Sequence, residues 1–139
     1  PTSQMMALAL EDNQFNGTVD LTRLPSQLSN LRLSSNQFNG EVDLTQLPSQ
    51  MFGLQLGNNQ FEGSVDFTQL PSTLQLLHLA NNTFSGSMNL TQLPASLVVV
   101  TLSGNLFCGT TPTAVACSML SFGTRCACQH RVVTCPACT

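Results

Sequence analysis

The sequence predicts a right-handed solenoid of stacked β-strands with little or no helix. Two observations carry that expectation. Three residue types recur every 23 positions without drift: Asn at 13, 36, 59, 82 and 105, Phe at 15, 38, 61, 84 and 107, and Gly at 17, 40, 63, 86 and 109. Within a unit the apolar residues alternate, as in "LSNLRLSSN", where Leu31 and Leu33 flank Arg32. A period of two marks a half-buried strand. A unit this short has no space for a full helix, so each turn of the coil is strand, corner and extended return. Copies that cannot bury their own apolar face stack instead, about 4.8 Å apart, into a parallel sheet.

The units open at Met5, Leu28, Met51, Leu74 and Leu97. Leu31 and Leu33 and their counterparts form the strand and point inward. Asn36 stands where the chain leaves it, offering an amide that both donates to and accepts from loop backbone. Phe38 and its counterparts stack as an aromatic spine in the core. Gly40 makes the next corner, a place for positive φ or close backbone approach. Val42 and Leu44 then turn inward on a short extended segment. Pro48 is tolerable where no continuous hydrogen-bond ladder runs.

These units read L-x-x-L-x-L-x-x-N-x-F-x-G-x-V-D-L-T-x-L-P-x-x, which resembles the leucine-rich repeat, L-x-x-L-x-L-x-x-N-x-L, over residues 1–109. The resemblance implies a parallel concave β-sheet with short extended or β segments on the convex side. The N-x-F-x-G-x-V words look like the plant-type repeat, which places a second strand after the Gly. The V-D-L-T-x-L-P continuation is instead similar to repeats in surface proteins of kinetoplastid protozoa. The expected organisation is an array over 1–107, its first unit partial or uncapped, and a Cys-rich cap or tail over 108–139. Residue 1 falls inside a unit, so the chain is expected to be a fragment, with any export signal and N-terminal cap upstream of it.

Asp20, Asp43 and Asp66 recur in one slot, with Asn89 in the fourth. A row of carboxylates suits calcium. An Asx-type turn before Thr and Leu-Pro needs only a side-chain oxygen to accept from backbone two residues on, and Asn89 supplies one without charge, which favours the turn. No metal or other cofactor is expected.

Comparing the units shows which positions are free. Scaffold letters repeat, while the outward strand positions change: Ala7, Ala9, Glu11; Asn30, Arg32, Ser34; Gly53, Gln55, Gly57; Leu76, His78, Ala80; Val99, Thr101, Ser103. Such a face is where repeat arrays bind partners. The candidate partner-binding residues are Asn30, Arg32, Ser34, Gln55, Leu76, His78, Val99 and Thr101. Unused drift is the other reading, because most of these side chains are small and weakly charged.

Of the 139 residues, 42% are hydrophobic and 8% charged, with no Lys and a net charge of −3. Nucleic-acid binding needs a basic stripe, which is missing. The longest apolar run, "LVVVTL", is too short to span a bilayer. His78 has neither an acid to orient it nor a nucleophile among its expected neighbours, so no catalytic triad assembles. Three sequons occur, at Asn16, Asn81 and Asn89. Asn16 and Asn81 are the better glycosylation candidates, because a glycan on Asn89 competes with its turn.

All six Cys follow the last good unit. "GNLFCGTTPTAVAC" resembles the C-terminal cap of plant leucine-rich-repeat ectodomains, and that match implies a Cys108–Cys117 disulfide. Cys126, Cys128, Cys135 and Cys138, with His130 between them, fit either disulfides or zinc. The expected function is a non-enzymatic interaction module, extracellular or at the cell surface, that binds a protein or glycan. A coat component with no specific ligand is the alternative.

Overall fold

A computed structural model describes residues 4–112, 120–121, 127–129 and 132–134. Each of the first four units contributes two short strands. In chain order these are β1 (Ala7–Ala9), β2 (Asn16–Gly17), β3 (Asn30–Arg32), β4 (Gln37–Gly40), β5 (Gly53–Gln55), β6 (Gln60–Gly63), β7 (Leu76–His78) and β8 (Thr83–Ser87). The fifth unit supplies β9 (Val99–Thr101) and β10 (Leu106–Cys108). Beyond it come β11 (Thr110–Pro112), β12 (Leu120–Ser121), β13 (Ala127–Gln129) and β14 (Val132–Thr134).

The first sheet runs β1-β3-β5-β7-β9-β12, all parallel. From β1 to β9 its register advances 23 residues per strand, as in Ala9↔Arg32, Arg32↔Gln55, Gln55↔His78 and His78↔Thr101. The chain is therefore a parallel β-solenoid of about four turns across these strands. The only helical segment among the described residues is a 3₁₀ turn, Leu21–Arg23. A second parallel ladder runs β10-β8-β6-β4-β2, and β11, β14 and β13 form a small antiparallel sheet.

The second ladder corrects one sequence expectation. It lies before the glycine rather than after it: β4 and β6 end at Gly40 and Gly63, and only β8 runs one residue past Gly86. These glycines have φ near +80°, which turns the chain out of the extended form and ends the pairing. Val42 and Leu44 do point inward, 6% and 1% exposed, but outside any strand. The backbone there closes a turn instead. Leu28, Met51, Leu74 and Leu97 donate their amides to the carbonyls of Pro25, Pro48, Pro71 and Pro94 at 2.9–3.1 Å. Proline loses nothing by lacking an N–H where only its carbonyl is used.

Between the ladders lies one core of inward Leu, Val and Phe side chains. The five spine rings stack with centroids 6.1–6.3 Å apart, Phe15 on Phe38, then Phe61, Phe84 and Phe107. Phe61 and Phe84 are wholly buried, whereas Phe15 is 45% exposed, because among the described residues a coil covers it on one side only. An apolar cavity of about 300 Å³, lined by Leu8, Leu10, Val19, Leu24 and Phe38, opens at the same end.

Asparagine joins the coils. The Asn82 Nδ2 donates to the carbonyls of Leu79 and Ala80 in its own coil and of Leu56 in the preceding one. Its Oδ1 accepts from the Phe61 amide of that preceding coil at 3.0 Å. Asn36, Asn59 and Asn105 repeat the pattern. The residue before each of these asparagines, or before Asn13 in the first coil, is left-handed: Asp12, Ser35, Asn58, Asn81 and Gly104, φ 54–69°. That column went unread in the sequence, although four of its five letters are Asp, Asn or Gly, the types that best tolerate left-handed φ.

Candidate functional site

Strand alternation and register decide which varied side chains meet. Residues two apart on a parallel strand share a face, and the 23-residue register brings equal positions side by side. The outward face of the first sheet therefore carries three lanes. One reads Ala7, Asn30, Gly53, Leu76, Val99, and the next Ala9, Arg32, Gln55, His78, Thr101. Glu11, Ser34, Gly57, Ala80 and Ser103 follow the ends of the same strands. Arg32, Gln55, His78 and Thr101 thus form an unbroken polar row, and Leu76 and Val99 sit beside its far end. The face does bring together the residues singled out by their variability.

The structure adds partners the sequence did not show. Arg32 Nη1 lies 2.9 Å from Glu11 Oε1 across two coils, with both side chains substantially exposed. A hydrogen bond from Glu11's own backbone amide, together with the Arg32 guanidinium, holds the Glu11 carboxyl below its usual range. Arg32 is therefore paired with Glu11 on this face. A charge pair this exposed contributes little to stability.

Two glycines shape the face. A Cβ on Gly57 would stand 2.7 Å from His78 Nε2 and 2.8 Å from His78 Cδ2, so the imidazole lies across the space that Gly57 leaves open. A Cβ on Gly53 would stand 3.1 Å from Asn30 Oδ1. Gly53 and Gly57 are buried rather than presented, because Asn30 and His78 fold over them, and Ala80 is buried as well. The signal was present in the sequence as two glycines within one strand's outward positions, the mark of a close approach. Burial of the imidazole pushes the His78 pKa down from its ordinary value, favouring the neutral ring.

Four buried polar atoms make no hydrogen bond within the described residues: Glu11 Oε2, Asn30 Oδ1, Ser34 Oγ and Thr101 Oγ1. All four belong to the outward face. Natural proteins pair nearly all such atoms, so a cluster of exceptions marks a place where a ligand or water completes the set. Beside the face, Phe52, Val98 and Val99 are 47%, 57% and 40% exposed, and with Leu76 they give its far half an apolar margin.

The chain matches no family model, no curated protein and no solved structure.

The remaining sequence sites lie elsewhere. Asp20, Asp43 and Asp66 each accept from the amide and the hydroxyl of the Thr two residues on, at 2.8–2.9 Å and 2.6 Å. Those bonds hold all three carboxyls below the ordinary aspartate range. Asn89 makes the same pair of bonds. The Asx turn thus accounts for the slot, and among the described residues no group of three or more His, Cys, Asp or Glu is gathered to hold a metal. Cys108 is buried and disulfide-bonded. Its expected partner Cys117 lies outside the described residues, as do Cys126, His130, Cys135 and Cys138. Cys128 falls in β13 with its side chain undescribed. Among the described residues no helix is long and apolar enough to cross a membrane.

Proposed function

We propose that the chain is a recognition module of the leucine-rich-repeat type, without catalytic activity, that binds a protein or glycan through the outward face of its first sheet. The observation that carries this is the contrast between columns. Every inward column keeps its apolar, asparagine or glycine character, with exchanges only among Leu, Val, Met and Phe, so that each coil satisfies the same geometry. The outward columns change at almost every coil, and they collect all four orphaned polar atoms among the described residues. A face maintained only as covering has no reason to leave acceptors and hydroxyls unpaired.

The reading assigns the polar contacts to Asn30, Arg32, Ser34, Gln55, His78 and Thr101, with Leu76 and Val99 as the apolar step. Arg, with Trp and Tyr, is a residue type enriched at binding hot spots, and Arg32 supplies it here. An extracellular or cell-surface setting, with attachment through other parts of the protein, fits the disulfide and the Ser-, Thr- and Asn-rich surface. The alternative, a coat component with no ligand, predicts a face indifferent to charge. Affinity capture with the array, against the Arg32→Glu plus His78→Glu variant, separates the two. Partners retained by the parent and lost, at least tenfold, by the double variant support recognition through this face. An identical set on both places the interface elsewhere.

A further inference from the structure

We propose that Asn89 is a carbohydrate acceptor, whose turn is built so that an N-linked glycan can be added without disturbing the fold. The three sequons differ sharply in what their atoms are already doing. At Asn81 the backbone is left-handed, φ 57°, and the Nδ2 donates to Asn58 Oδ1 at 2.9 Å. Its Oδ1 is packed where a side chain on Gly104 would stand, and the Thr83 hydroxyl is spent on the Phe61 carbonyl at 2.9 Å. A glycan on Asn81 would therefore attach to a nitrogen that already donates a coil-to-coil bond. At Asn16 the residue lies in β2, paired with Gln37, and the Thr18 methyl packs over Gly40. No bond connects that amide to that hydroxyl.

At Asn89 the arrangement is different. The Thr91 hydroxyl and amide both donate to Asn89 Oδ1, at 2.6 and 3.1 Å. Asn89 and Thr91 are exposed, while Leu90 between them is wholly buried and pins the turn to the core. The turn uses only the oxygen, and the Asn89 Nδ2 makes no hydrogen bond among the described residues. The expectation that a glycan here competes with the turn is therefore reversed, since the two use different atoms of one amide.

The chemistry follows from that division. The donor class is an oligosaccharide carried on a lipid pyrophosphate. The Asn89 amide nitrogen forms a bond to the anomeric carbon, and the anomeric C–O bond breaks. The pyrophosphate leaves with the electron pair, and the nitrogen gives one of its two protons to a base. Nothing is oxidised or reduced. The Thr91 hydroxyl, bonded to Oδ1, polarises the carbonyl of the reacting amide. After transfer the oxygen still accepts both bonds, so the turn persists. The column also explains its own exception: the other three copies of the slot carry Asp, which has no nitrogen to modify. A glycan on this return segment lies across the core from the first sheet and leaves its outward face clear.

The test is to express the chain behind a cleavable leader in eukaryotic cells and read both the secreted and the retained pools by gel mobility and peptide mass spectrometry, before and after enzymatic deglycosylation. The expected result is a glycan on Asn89 and none on Asn81. The shift from Asn89 is lost in Asn89→Asp, which restores the residue used in the other three slots, and in Thr91→Ala. It is kept in Thr91→Ser and in Asn81→Asp. Tm should agree between the glycosylated and deglycosylated chains. An unmodified Asn89, a glycan on Asn81, or a glycosylated chain that melts below its deglycosylated form overturns the proposal.

Discussion

A single side-chain type, the asparagine at the end of each strand, bonds one coil to the next. Asn82 fills four hydrogen bonds while only 6% exposed, and its oxygen serves a phenylalanine amide of the preceding coil. Hydrophobic residues of similar size fill space there but leave that amide and several carbonyls buried without partners. Stranding such groups costs about 1–3 kcal/mol each, less whatever water can reach. Asn13 holds the same sequence position, but among the described residues its side chain bonds only to the Leu10 and Glu11 carbonyls of its own coil, and it is exposed. Asn82→Ala should therefore lower unfolding stability by about 3 kcal/mol, and Asn13→Ala by about 0.5 kcal/mol or less. Urea denaturation of both variants checks this, and equal losses would refute the claim that the bonds to the preceding coil matter most. The sequence showed that Asn was required, but it could not show which coil each amide serves. That depends on register across 21 to 26 residues.

At the scale of the element, the Asp-Leu-Thr turn is a unit that works with or without charge. Thr45 donates its hydroxyl and its amide to Asp43 Oδ1, and these bonds lower the carboxyl's pKa below the ordinary 3.8. Nearby Asp66 and Asp20 push the other way, more weakly. A folded-state pKa below the unfolded one means that the unfolded chain takes up protons first as pH drops. The stabilisation is in full above the unfolded value and is lost as pH falls through the folded one. All three carboxylates are fully exposed, so solvent keeps each share small. The triple variant Asp20→Asn, Asp43→Asn, Asp66→Asn copies the Asn89 turn three times. Its Tm should fall less between about pH 5 and about pH 2 than the parent's, because the titrating groups are gone. Parallel Tm profiles would move the acid sensitivity elsewhere. This turn was legible in the sequence from the Asn in its fourth copy. The glycine slots under His78 and Asn30 were legible only as two glycines on one strand, because which side chain lies over a neighbour's missing Cβ is a property of packing rather than of any one letter. The same holds for the second ladder, whose end is set by φ at Gly40 and Gly63 rather than by the Val and Leu that follow.

For the whole molecule, the 23-residue register makes the coil the natural unit of both stability and change. Each coil touches mainly its neighbours, so removing a complete one should leave two compatible surfaces. The coil from Leu28 to Gln50 is the informative choice. Its deletion brings Phe15 against Phe61, lets Asn59 take over the bonds that Asn36 makes to Phe15 and Leu10, and sets Ala7 beside Gly53. It also spares the one ring contact among the described residues that skips a coil, Phe67 on Phe107 at 6.1 Å. The shortened chain should unfold in one cooperative transition, with an m-value lower by about one fifth, since that share of the buried surface is gone. Deleting only residues 28–39 removes β3, Asn36 and Phe38 but keeps the return segment that needs them. That chain should show no cooperative transition, because Val42 and Leu44 then have no strand to close against. If both deletions behave alike in urea, the coils are not interchangeable layers and the outward face was never free to vary independently of the core. If they differ as expected, the freedom of that face has a physical origin: coil-to-coil contacts run through the inward Phe, Leu and Asn columns, and the outward letters can change without altering the stack.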